Sequence, residues 1–83
     1  MTIQKYIIWS KNNCSFCQRA KDYLTERGVD YEERNVEGKD WTVENLWEVA
    51  PGTRTMPVIF NGDRFIGGYD SLIAHIEMGN LKI

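Results

Sequence analysis

The chemistry of this chain starts at two thiols. Cys14 and Cys17 are its only cysteines and stand three residues apart. They lie in Asn12-Asn13-Cys14-Ser15-Phe16-Cys17-Gln18-Arg19-Ala20, after an apolar β-like run, Tyr6-Ile7-Ile8-Trp9, and within the start of a helix-like pattern, Phe16, Ala20, Tyr23, Leu24. The pair therefore falls where a strand hands over to a helix, with Cys14 at or just before the first helical turn. Unpaired N–H groups and the positive end of the macrodipole favour an anion there. An ordinary cysteine has a pKa of about 8.5, and such sites reach roughly 3.5–7.5, so Cys14 is expected to be a thiolate at neutral pH. Residues i and i+3 share a helix face with Cβ atoms about 5–6 Å apart. A disulfide needs about 3.5–4.5 Å, so a small adjustment in the first turn closes the bond. Cys14 is then the exposed nucleophile, and Cys17, one turn inside the helix, the resolving thiol.

Other uses of two cysteines fit less well. A structural crosslink over so short a loop stabilises a fold by only about 2 kcal/mol, against about 4.7 for a loop of 100 residues. Structural zinc takes four ligands; beyond the pair the chain offers no cysteine and one histidine, His75, so no metal site is expected. Two inert buried thiols remain the bland alternative. A C-x-x-C between a strand and a helix in a small α/β pattern reads as a thiol–disulfide redox site.

The elements that must position the pair follow from the rest of the pattern. Tyr6 to Trp9 is apolar throughout, as for a strand buried on both faces. The following helix runs to about Arg27, with Gly28 as its stop. Val29 to Val36 alternates weakly and reads as a second strand. Val43, Leu46, Trp47 and Ala50 recur at helical spacing, giving a helix over Thr42 to Val49 that ends before Pro51-Gly52. Val58-Ile59-Phe60, Asn61-Gly62 and Asp63 to Ile66 read as a hairpin with a tight I′ turn. A last helix runs from Asp70, its N-cap, to about Met78, with Gly79 as its stop. The expected fold is α/β, of order β-α-β-α-β-β-α: a four-stranded mixed sheet flanked by three helices, whose first two strands are parallel.

Length and composition set the bounds. Eighty-three residues at 42% hydrophobic and 27% charged make one soluble domain, spanning 1–83, with one modest core. No apolar run approaches a membrane span. A formal charge of −2 gives no reason to expect nucleic acid. Met1-Thr2-Ile3-Gln4-Lys5 lacks the layout of a signal peptide, so a cytoplasmic, reducing location is expected, where cysteine pairs are more often catalytic than structural. Trp9, Trp41 and Trp47 are expected in the core, and His75 at the surface or as a helix cap.

Three local motifs, in order and at family spacing, carry a resemblance over essentially the whole chain. Lys11-Asn12-Asn13-Cys14-Ser15-Phe16-Cys17 resembles Lys-x-x-Cys-x-x-Cys. Arg54-Thr55-Met56-Pro57 resembles Arg-Thr-Val-Pro before the third strand. Gly67-Gly68-Tyr69-Asp70 resembles a Gly-Gly-aromatic-polar turn before the last helix. The chain is similar to glutaredoxins, of the thioredoxin-like fold. It departs from many of them in having Ser15-Phe16 where Pro-Tyr is common, and Asp70-Ser71 where Thr or Ser precedes Asp.

The residues have readings of their own beside that resemblance. Lys11 can lower the Cys14 pKa or meet a substrate carboxylate; in the family the matching lysine meets glutathione. Arg54 can take a carboxylate in bidentate fashion, or be a solvated loop arginine. The resemblance implies a cis Met56–Pro57 bond beside the cysteines, with Thr55 as neighbour and the Met56 backbone turned out to an extended substrate. It also implies that the helix start after Gly68, across Tyr69, Asp70 and Ser71, takes the γ-glutamyl carboxylate of glutathione.

The expected activity is a glutathione-dependent thiol–disulfide oxidoreductase. It acts on disulfide-containing proteins and glutathione mixed disulfides, as a monomer, with glutathione as reductant and no tightly bound cofactor. Two rivals stand beside it. One is a redoxin that donates electrons to ribonucleotide reductase and is reduced by thioredoxin reductase. The other is a protein holding a [2Fe–2S] cluster between two protomers, which the small Ser15 permits.

Overall fold

The computed structural model describes residues 5–78, so the expected stop at Gly79 lies outside the described residues. The element order is β1 (Tyr6–Ser10), α1 (Ser15–Glu26), β2 (Tyr31–Asn35), α2 (Val43–Val49), β3 (Val58–Asn61), β4 (Arg64–Gly67) and α3 (Tyr69–Glu77). The sheet runs β2-β1-β3-β4. β1 pairs with β2 in parallel and with β3 antiparallel, and β3 pairs antiparallel with β4. The fold class, order and strand directions are those expected from the pattern.

β1 is central, and its alternation divides the core. Tyr6 and Ile8 point to one face and join Ala20, Leu24, Ile59 and Leu72 beneath α1 and α3. Trp9 points to the other and joins Leu46, Ala50, Val58 and Phe60 beneath α2. Burial of this strand from both sides makes it a fixed platform for whatever its C-terminal end carries, and that end leads to Cys14.

Helix ends follow backbone chemistry. α1 stops in a Schellman motif: Gly28 has φ +69°, its N–H bonds to the Thr25 carbonyl, and Val29 N–H reaches back to Leu24. That last bond explains why β2 starts at Tyr31 and not at Val29, since Val29 belongs to the helix cap. α2 starts from a capping box in which the Thr42 hydroxyl accepts from Asn45 N–H and the Asn45 amide oxygen accepts from Thr42 N–H.

Four expectations are corrected. The hairpin loop is Gly62-Asp63, because Asn61 still pairs with Arg64; Gly62 takes φ +62° and Asp63 keeps negative φ, so the I′ turn at Asn61-Gly62 does not form. The N-cap of α3 is Gly68, not Asp70: Leu72 N–H already bonds to the Gly68 carbonyl, leaving Asp70 in the first turn. Trp47 is 46% exposed, because its indole N–H turns back to the Thr53 carbonyl. His75 is half-buried against the Tyr6 ring, so it is only partly at the surface, and its Nε2 makes no capping bond among the described residues.

Candidate active site

The site is built where β1 ends. Asn13 adopts φ +56°, a left-handed conformation that asparagine tolerates better than most residues. The loop before α1 is tied to the β2 end: Asn12 N–H donates to Glu37, the Asn35 amide donates to the Asn12 side chain, and Val36 N–H donates to the Ser10 carbonyl. This bracing delivers Cys14 to the N-cap of α1.

Cys14 and Cys17 are joined in a disulfide. Cys14 is half-exposed, while Cys17 is 1% exposed. The Cys14 sulfur accepts the Cys17 backbone N–H at 3.2 Å. That bond, together with the helix end, is an electrostatic trap for negative charge on this sulfur. The two sulfurs thus differ in access, as their spacing predicted.

Two other segments come to the same place. The Met56–Pro57 peptide is cis, and the Met56 carbonyl oxygen lies 3.8 Å from the Cys14 sulfur. A Cβ at Gly68 would stand 3.7 Å from the Pro57 carbonyl oxygen, so the α3 start adjoins the cis bond. Phe16 and Tyr69 close that side with ring centroids 5.8 Å apart. Cys14, Met56-Pro57 and the Gly68-Tyr69 turn thus adjoin one another, and the groove they would frame is the candidate substrate site. At Gly67 φ is +126° and a Cβ would meet the Ser71 hydroxyl at 2.8 Å, which accounts for glycine there.

The family model for glutaredoxin matches residues 6–66. The chain belongs to the glutaredoxin family. Its relatives include a probable glutaredoxin of Synechocystis, 35% identical over 93% of this chain and 88% of that protein. Glutaredoxin 3 of Escherichia coli K12 is 35% identical over 89% of this chain and 88% of its own length. Among solved structures, a buckwheat glutaredoxin–glutathione complex superposes with a TM-score of 0.78 at 28% identity, covering 94% of this chain and 73% of that one. The reduced E. coli glutaredoxin superposes at 0.75 and 26% identity, covering 92% and 96%. With its cysteine pair at bonding distance, this glutaredoxin is a thiol–disulfide oxidoreductase.

The other residues singled out from the sequence are placed as follows. Lys11 is exposed and lines an open cleft with Cys14 and Cys17 on the β2 side of the pair. Arg54 and Thr55 are exposed in the loop before the cis bond, and Pro57 is buried. Asp70 and Ser71 are exposed in the first turn of α3. Sequence reasoning passed over Lys21 and Glu33, which also line the cleft. Lys21 stands four residues after Cys17 on one helix face, a signal that was readable. Glu33 had none, since only the β1–β2 register brings it there. Among the described residues no group of three or more His, Cys, Asp or Glu side chains could hold a metal ion.

Proposed function

We propose that this glutaredoxin uses glutathione as its reductant and acts on glutathione mixed disulfides and protein disulfides. One observation carries the reading: Cys14, the cis Met56–Pro57 peptide and the Gly68 start of α3 adjoin one another in turn along one site. A γ-glutamyl tripeptide is extended and ends in two carboxylates. Its cysteine would meet Cys14, and its backbone would pair with Met56. The free N–H groups after Gly68 would take one carboxylate, and Lys11 or Arg54 the other.

The Cys14 thiolate attacks the sulfur of the mixed disulfide. The partner thiolate leaves and takes up a proton, and Cys14 carries glutathione. Either a second glutathione releases it, or Cys17 displaces it and leaves the Cys14–Cys17 disulfide for glutathione to reduce.

The test is turnover of a glutathionylated peptide with glutathione for the parent, Cys14→Ser and Cys17→Ser. The expected ranking is loss of activity in Cys14→Ser and retained deglutathionylation in Cys17→Ser. The opposite ranking would mean the nucleophile is misassigned. Turnover supported by thioredoxin reductase but not by glutathione would move the assignment to the redoxin that serves ribonucleotide reductase.

A further inference from the structure

A charged cleft lies on the β2 side of the cysteine pair, and Met56, Pro57 and Gly68 do not line it. Ser10, at the end of β1, is fully buried, and its hydroxyl donates to Glu33 Oε2 at 2.7 Å. The Lys21 ammonium donates to the same oxygen at 2.9 Å. Lys21 lies one turn beyond Cys17 on α1, with Cβ atoms at such a spacing about 5–6 Å apart. Cys17, Lys21 and Glu33 line one cleft. The charged groups facing it are Lys11 from the loop, Lys21 from α1 and Glu33 from β2, and Cys14 is its other thiol. Burial pushes the Glu33 carboxyl up, but the hydrogen bonds from Ser10 and Lys21 and the Lys21 charge outweigh it and leave Glu33 below its ordinary value. Glu33 is therefore an anion at neutral pH. It cancels part of the Lys21 field and holds the ammonium in one place.

We propose that the Lys21–Glu33 pair, anchored by Ser10, sets the proton affinity of Cys17 and so the rate at which Cys17 displaces a partner from Cys14. Cys14 owes its charge to the helix end; Cys17, deeper in the helix, depends on Lys21. Ser10 and Glu33 act through Lys21 and are positioning residues. In the resolving step the Cys17 thiol loses its proton to water and the thiolate attacks the Cys14 sulfur. The Cys14–Cys17 bond forms, the bond from Cys14 to the partner sulfur breaks, and the departing thiolate takes up a proton. The partner sulfur is reduced and the cysteine pair oxidised. Lys21 favours this by stabilising the attacking thiolate, and Glu33 limits it. The inference rests on the thiol–disulfide chemistry alone and not on glutathione as the reductant.

Two measurements on the full chain test it. Thiolate absorbance in the Cys14→Ser background reads the Cys17 midpoint without requiring access to the sulfur. Reaction of the reduced parent with Ellman's reagent reads the resolving step as its second burst of coloured thiolate, released when Cys17 displaces the aryl group from Cys14. Lys21→Met should raise the midpoint and slow the second burst about three- to tenfold at neutral pH, and Lys21→Arg should restore both. Glu33→Gln should lower the midpoint and speed that burst. A packing role would shift both variants the same way. Equal-signed shifts, or no shift, overturn the proposal. If Lys21→Met fails to fold, Glu33→Gln decides alone: a midpoint at or above the parent's overturns it, and a lower one supports it.

Discussion

At the scale of a residue, the two cysteines differ by environment and not by type. Cys14 accepts a backbone N–H at the helix start, while Cys17 lies buried one turn in. Titration of Cys14 in a Cys17→Ser chain should therefore give a midpoint at least about one unit below the ordinary 8.5. An ordinary midpoint would remove the basis for nucleophilic attack at neutral pH. This asymmetry was legible in the sequence, because the strand-to-helix handover and the three-residue spacing together put Cys14 at a cap. The Ser10–Glu33–Lys21 cluster was not. Ser10 and Glu33 are 23 positions apart, and nothing local tells a strand glutamate which side chain its register will bring.

At the scale of an element, the caps decide where helices begin, and they are where the reading from sequence slipped. Asp70 has the right chemistry for an N-cap, but the backbone had already turned at Gly68, whose extended conformation starts α3 with no side-chain cap bond. The turn before it depends on Gly67. A side chain at φ +126° is strained, and its Cβ would press on Ser71. Gly67→Ala should lower unfolding free energy in urea by about 1–3 kcal/mol. Adding Ser71→Gly should recover only part of that, since the dihedral strain remains; full recovery would mean that the contact alone excludes a side chain. The box on α2 was half legible. Thr42 before a helical pattern marked the start, while the reciprocal bond from Asn45 needed the structure. Seven residues are too few to be helical alone, so Thr42→Ala should cost about 1 kcal/mol. Activity should be largely unchanged, because α2 supplies no residue to the cysteine site and adjoins it only through the Met56 side chain packed on its cluster.

At the scale of the molecule, one buried strand carries chemistry at one end and an unsatisfied polar cluster at the other. Ser10 and the cysteine loop lie at the C-terminal end of β1. At its start, Tyr6 packs against His75, and the Tyr6 hydroxyl, the Asn61 amide oxygen and His75 Nε2 are buried without partners among the described residues. The alternation along β1 was legible and fixes which side chains face α1 and α3. The packing of His75 was not, since α3 could present it inward or outward until the tilt against β3 and β4 was known. Burial, with the nearby Arg64 charge, depresses the His75 pKa below 6.5. The folded state thus holds His75 neutral where the unfolded chain would bind a proton. Its contribution to stability is complete above pH 6.5 and is lost as pH falls through the lower, folded value. Glu33 is also depressed, from 4.5, so its contribution is present above that pH and fades only in more acidic solution. Urea midpoints measured from about pH 7.5 to 5 should fall as acid is added. In His75→Phe, which keeps a ring against Tyr6 and carries no proton, the midpoint should stay level over that range and drop only where the carboxylates titrate. An unchanged slope in the variant would assign the loss of stability to groups other than this histidine.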